Sequence, residues 1–208
     1  METATAYPKA RSICAQKDVR QLERDLETLK ALALEKGAAS AFVVNAKDMP
    51  WLENASARSG EEDYSSAHWP LKYPKDSIRD AAAAFEKAIF FVVDTPPRAI
   101  DPGQGPIDDK TVRAACKTIY EIAAAVEAAA FYMGHHLTLG FAHANCRAVF
   151  CPQEKRCWGE IKGRVCLHPY KARPSMAACG MDSKALAAAC GIEDKASANW
   201  AAGIVFVD

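Results

Sequence analysis

Four cysteines, Cys146, Cys151, Cys157 and Cys166, fall within the stretch CRAVFCPQEKRCWGEIKGRVC at the spacing C-x4-C-x5-C-x8-C. Thiolate is a soft ligand, and four thiolates on a segment interrupted by Pro and Gly can converge on one centre. Such a set selects zinc, copper(I) or an iron–sulfur cluster. Structural zinc sites favour tight C-x2-C pairs, and no pair here is that tight. A cuboidal cluster needs four thiolates spread around a larger object. The spacing leans towards an iron–sulfur cluster of the [4Fe–4S] type, with zinc as the alternative. Four cysteines of an ordinary core are a poor account, because Lys155, Arg156, Glu160, Lys162 and Arg164 make the segment too polar.

Those cations would offset the charge of metal-bound thiolates and tune a redox potential, or they form a solvated loop face. Trp158 either shields the centre from water or packs as an ordinary aromatic. His143 and His168 are close enough in sequence to be hydrogen-bond donors to the ligands or substitute ligands. His135 and His136 are adjacent on a helix by this reading, so at most one can face a shared site, and a packed, hydrogen-bonded role fits them better. Cys116 reads as a small buried hydrophobe and Cys14 as incidental, while Cys179 and Cys190 flank a short helix and are weaker ligand candidates.

The elements that position this segment follow from periodicity. Asp18–Lys36 reads as an amphipathic helix with Leu22, Leu26, Leu29, Leu32 and Leu34 on its apolar side, stopped by Gly37. Ser40–Asn45 is a strand. Residues 50–74 are a long loop, and Asp76 caps a helix reaching Lys87. Ile89–Val93 is a strand buried on both faces, followed by a Pro/Gly break over 95–106. A long alanine-rich helix from Asp109 to about Leu139 leads into the cysteines. Asp182 caps a helix to Ala189 that Gly191 closes, and AGIVFVD adds a last strand. The expected architecture is α/β, with α+β as the variant. It has a small sheet packed by several helices and a C-terminal cysteine-rich metal-binding loop. A loose arm over 1–15 precedes one domain over 16–208, with the metal segment at 143–181.

Composition narrows the function classes. Lys and Arg number 26 against 26 Asp and Glu, so no global field recruits nucleic acid or an anionic membrane. The apolar stretch Ile119–Phe141 is broken by Glu121, Glu127 and the histidine pair, which argues against a membrane span. The first residues lack the apolar core of a secretory signal, so the reading is cytoplasmic, where clustered thiols bind metal rather than form disulfides. A redox partner protein is the expected partner, and the sequence sets no oligomeric state.

The run CLHPYKARPSMAACGMD, from Cys166 to Asp182, with the cysteines before it, resembles a prokaryotic family of cysteine-rich predicted metal-binding proteins of unknown function. The residues that carry the resemblance are Cys166, His168, Pro169, Ala172, Arg173, Pro174, Ser175 and Met176, then Gly180, Met181 and Asp182. The helix segment EAAAFYMGHHLTLGF resembles the family's approach to its cysteines. Relatives also carry cysteines in an N-terminal Cys-Pro-Pro-like stretch; here ARSGEEDYSSAHWPLKYPKD keeps Tyr64, Pro70 and Pro74 without a cysteine, leaving Glu61, Glu62 and His68 as replacements or as a solvated loop. Pro169 and Pro174 would hold the chain extended as it leaves the site. Arg173 would fold back onto carbonyls, neutralise the thiolates, or bind a substrate anion.

The leading expectation is an iron–sulfur protein with a redox or electron-transfer accessory role. A zinc-stapled interaction module is the alternative. A metal-dependent enzyme, with Arg58–Lys75 as a lid, ranks lowest, since no nucleophile–base motif, phosphate loop or dinucleotide fingerprint occurs.

Overall fold

A computed structural model of the chain describes residues 19–52, 75–96, 110–154, 156–192 and 199–208. The expected arm over 1–15, Cys14, and the loop residues Glu61, Glu62, Tyr64, His68, Pro70 and Pro74 lie outside them. The elements in chain order are helix α1 (Val19–Glu35), strand β1 (Ser40–Asn45), helix α2 (Lys75–Ala83), strand β2 (Lys87–Asp94) and helix α3 (Lys110–Tyr132). Strand β3 (Thr138–Phe141), helix α4 (Cys146–Phe150), helix α5 (Ser183–Ala189) and strand β4 (Trp200–Val207) follow, with short 3-10 turns at Ala46–Asp48 and Trp158–Glu160.

The four strands form one sheet in the order β1-β2-β4-β3, and every neighbouring pair is antiparallel. The expected small sheet packed by helices is present. The two central strands are continuous apolar runs because helices cover both faces. Alternation sorts their side chains: Ile89, Phe91, Val93, Val205 and Val207 meet Leu22, Leu26 and Leu29 of α1 and Cys116, Ile119 and Ala123 of α3. Ala88, Phe90, Val92, Ile204 and Phe206 meet Ala82 of α2, Leu186 of α5, and Met176 and Met181 on the other side.

Helix α1 buries Leu22, Leu26, Leu29 and Ala33, while Leu34 is 43% exposed, because Ala33 lies four residues beyond Leu29 and takes the inward position. Helix α2 ends at Ala83, before the expected Lys87: residues 84 and 85 turn back on Ala81 and Ala82, and β2 then starts at Lys87. Phe85, released from the helix, packs its ring 5.8 Å from Phe206.

The larger correction concerns the long helix. It stops at Tyr132, because Gly134 takes φ +103° and the His135 N–H turns back to the Ala130 carbonyl at 3.0 Å. His135 and His136 are therefore past the helix end, and residues 138–141 pair with β4 as an edge strand. The terminal strand is longer than expected and central. Helix α5 matches its expectation, with Asp182 accepting N–H bonds from Lys184 at 3.1 Å and Ala185 at 3.0 Å. Among the described residues, no helix is long and apolar enough to cross a membrane.

Candidate metal centre

The segment that carries the cysteines leaves the sheet at Ala142 and returns to it at Pro174. Ala142 donates its N–H to the Pro174 carbonyl and accepts one from Met176, both at 2.9 Å, so residues 143–173 form a loop stitched shut at its base. Inside the base, Ala144 adopts φ +63°, a left-handed conformation that costs a residue with a Cβ roughly 1 kcal/mol. The buried Tyr120 hydroxyl donates to the Ala144 carbonyl at 2.9 Å and fixes that bend. Asn145 then caps α4 by accepting the Arg147 N–H at 2.8 Å, which starts the helix with Cys146 facing inward, 8% exposed.

The return path is pinned by charge. Arg173 bonds Glu127 of α3 through Nε at 2.6 Å and through its terminal nitrogen, and it donates to the Ala172 carbonyl at 2.8 Å. Both side chains of this pair are about 15% exposed or less, so its desolvation is offset only by the paired geometry. Gly140 is what admits the carboxylate: a Cβ there would come within 2.7 Å of a Glu127 oxygen. Of the roles expected for Arg173, the fold-back onto a carbonyl is observed, and its charge is held by Glu127. Lys171 adds an exposed bond to Glu121 at 3.3 Å.

Cys146, Cys151, Cys157 and Cys166 all line one cavity of ≈ 310 Å³, counting its open mouth, together with Arg147, Phe150, Trp158, Leu167, His168 and Ala172. Cys146 and Cys157 are buried, and Cys151 and Cys166 are partly exposed. Burial pushes the Cys146 thiol up to about 12, with the neighbouring Cys157, Cys166 and Cys151 adding to it and the Arg147 N–H opposing. Burial also raises Cys151, helped by Cys166, Cys157 and Glu154 and opposed by Arg147. Both groups are therefore neutral thiols until a cation takes the place of the proton. Among the described residues, no three His, Cys, Asp or Glu side chains converge into a metal-holding group. The four thiols share a cavity without closing on a single ion.

The walls are specific. The His168 N–H donates to Cys166 Sγ at 3.3 Å, an N–H···S contact of the kind that stabilises a charged sulfur. The His168 ring stacks on Phe150 at 5.1 Å, and Phe150 meets Tyr120 edge-on at the same distance. Trp158 lines the cavity, donates Nε1–H to Glu154 at 2.9 Å, and carries the Arg164 guanidinium on its face at 4.3 Å. Four thiols, an N–H donor to one sulfur and an aromatic shield suit a thiolate-bound metal or cluster. The chain matches the family described as "Predicted metal-binding protein (DUF2284)" over residues 62–205.

It belongs to that family. The match takes in α2, α3, the whole cysteine loop and most of β4, so this family member carries its thiol cavity inside the region that defines the kinship. No curated protein matches the chain, and no solved structure does.

The remaining candidates separate cleanly. His135 bonds Asp25 of α1 at 3.0 Å and the Asp208 carbonyl at 3.3 Å, a packed role remote from the cavity lining. His136 packs on Phe131 at 5.4 Å. Cys116 is wholly buried beneath the sheet, its thiol raised to about 12 by burial alone. Cys179 and Cys190 belong to the opposite apolar layer and take no part in the cavity, and neither does His143. Pro169 does not extend the chain: Lys171 and Ala172 both donate back to the His168 carbonyl, so it opens a tight turn. Glu127 and Phe150 were not singled out from sequence. For Glu127 the signal was available, a lone carboxylate in the alanine-rich face with a single arginine on the exit run.

Proposed function

We propose that Cys146, Cys151, Cys157 and Cys166 hold an iron–sulfur cluster of the [4Fe–4S] type, and that the protein serves as a redox or electron-transfer accessory. One observation carries this reading: the four thiols line a single small cavity whose other walls, Arg147 aside, are aromatic and apolar and which supplies an N–H to a sulfur. A cluster bound there would supply one-electron redox chemistry, with its potential tuned by burial and by that N–H···S bond.

The chain's own residues would do the rest. Trp158, Phe150 and Leu167 keep water from the sulfurs, and the Glu127–Arg173 pair holds the returning strand against α3. The chain has no cysteine between Cys14 and Cys116, so the N-terminal thiols of the family pattern have no counterpart, and the loop 143–173 is the single thiol-rich centre proposed. None of the seven described cysteines is in a disulfide, which suits the reducing, cytoplasmic setting proposed.

Metal and acid-labile sulfide analysis of anaerobically prepared protein tests the proposal. Iron and sulfide in equal amounts, with visible absorption bleached by dithionite, are the expected result. Stoichiometric zinc without sulfide would replace the reading with a zinc-stapled interaction module.

A further inference from the structure

The cavity opens beside a surface that combines exposed apolar side chains with cations. Val165 is 78% exposed, Leu167 is 44% and Tyr170 is 86%, three apolar side chains within six residues that flank Cys166 on both sides. Around them stand Arg156, Lys162 and Arg164, all exposed, and among the described residues no carboxylate pairs with any of the three. The segment from Cys146 to Arg173 holds seven Lys and Arg against two Glu, a formal +5, in a chain whose total is zero. The remainder of the chain therefore carries a formal −5.

Balanced proteins gain little from such polarisation unless it aims something. An apolar centre ringed by cations is the anatomy of a small protein–protein interface, with desolvated contacts in the middle and charge at the rim. The charged rim raises the encounter rate with an oppositely charged face and rejects a like-charged one. Nucleic acid fits less well, because it rewards cations tracking a backbone rather than aliphatic side chains at their centre.

We infer that this face docks an acidic electron-carrier protein over the mouth of the thiol cavity. The identity of that partner rests on the redox reading above, whereas the docking itself rests on charge and exposure. Leu167 is shared between the cavity wall and the surface, so a partner seated on it lies directly over the sulfurs. A contact of this type belongs at the small, transient end of interface sizes, below about 1,200 Å².

Calorimetric titration of the full chain with an acidic [2Fe–2S] carrier protein, and with a basic cytochrome as control, tests the inference. Both metal-loaded and metal-free protein are used. The acidic carrier is expected to bind with affinity falling about tenfold or more as salt rises from about 20 to about 200 mM, and the cytochrome is not expected to bind. The triple variant Arg156→Glu, Lys162→Glu, Arg164→Glu should lose at least another factor of about ten, with unchanged far-UV circular dichroism, since all three positions are exposed. Val165→Ser should weaken binding while leaving the salt slope in place. Equal binding of both carriers, salt-independent binding, or tighter binding of a single-stranded oligonucleotide through the same three cations would overturn it. Docking of the acidic carrier by protein that takes zinc and no sulfide would uphold the surface and remove the redox reading.

Discussion

The two faces of the sheet solve different problems with the same strands. On one side Phe90, Ile204 and Phe206 pack against Met176, Met181 and Leu186, and Cys179 joins them as one more hydrophobe. On the other, α1 and α3 bury an equally apolar layer, yet polar groups are threaded through it: Asp25 with His135, Glu127 with Arg173, Tyr120 with the Ala144 carbonyl. Each of these ties an irregular segment to a helix, and two of the three hold the ends of the cysteine loop. A purely apolar layer stabilises without choosing a loop path, because hydrophobic burial is non-directional. Directional pairs choose the path, and their removal should damage the site out of proportion to the stability lost.

The largest expected effect lies on the apolar face. Phe206 is fully buried between Phe85 and Phe141, with ring centroids at 5.8 and 5.9 Å. Phe206→Ala should lower unfolding free energy by about 3–5 kcal/mol, read from the denaturant midpoint, while metal bound per folded molecule stays unchanged.

Glu127→Ala comes next, at about 3 kcal/mol, because it strands the Arg173 cation in a largely buried position. It should also speed metal loss to a chelator, whereas Phe206→Ala should not. If both variants lose metal equally, the distinction between the faces is wrong. Gly140→Ala should act in the same direction as Glu127→Ala, since its methyl meets the carboxylate.

A smaller effect is expected from His168→Ala. It removes the ring stacked on Phe150, worth about 0.5–1.5 kcal/mol, but keeps the backbone N–H that meets Cys166 Sγ. Metal content should survive. Its loss would turn His168 from a wall into a ligand.

The pH response of the buried thiols lies above neutrality. Burial raises Cys116 to about 12, so the folded state holds its proton more tightly than the unfolded chain does. Its contribution is therefore intact below the usual thiol pKa of about 9 and fades as pH climbs from there towards 12. Tyr120, raised by burial and then by Cys146 and Cys116, acts in the same direction. In native metal-free protein near pH 8, an alkylating reagent should spare Cys116 and modify the partly exposed Cys166, as peptide mass analysis would reveal.

Much of this was legible in the residues alone. The apolar run from Ile89 to Val93 announced a strand covered on both faces, and Asp182 with Gly191 bracketed a helix whose ends local chemistry decides. The alanine-rich helix misled at its far end, because helical propensity continues through Leu137 while the stop depends on one positive-φ glycine and on strand pairing with residues 63 to 69 positions away. The cysteine spacing pointed to one centre; the four side chains line one cavity, and among the described residues they do not converge into a metal-holding group. What spacing could not reveal was the closure of the loop, which depends on Glu127 meeting Arg173 across 46 residues and on the Tyr120 hydroxyl reaching the Ala144 carbonyl across 24. Sequence separation hides such pairs, since neither partner is unusual alone.

The most direct measurement compares the four cavity cysteines with the other three described cysteines. Single Cys→Ala variants at Cys146, Cys151, Cys157 and Cys166, and separately at Cys116, Cys179 and Cys190, are reconstituted anaerobically with iron and sulfide and assayed for both. Loss of bound iron and sulfide confined to the first four variants is the predicted result. A wild-type protein that takes up no sulfide, or a cluster that persists without Cys157 and disappears without Cys179, would contradict the account.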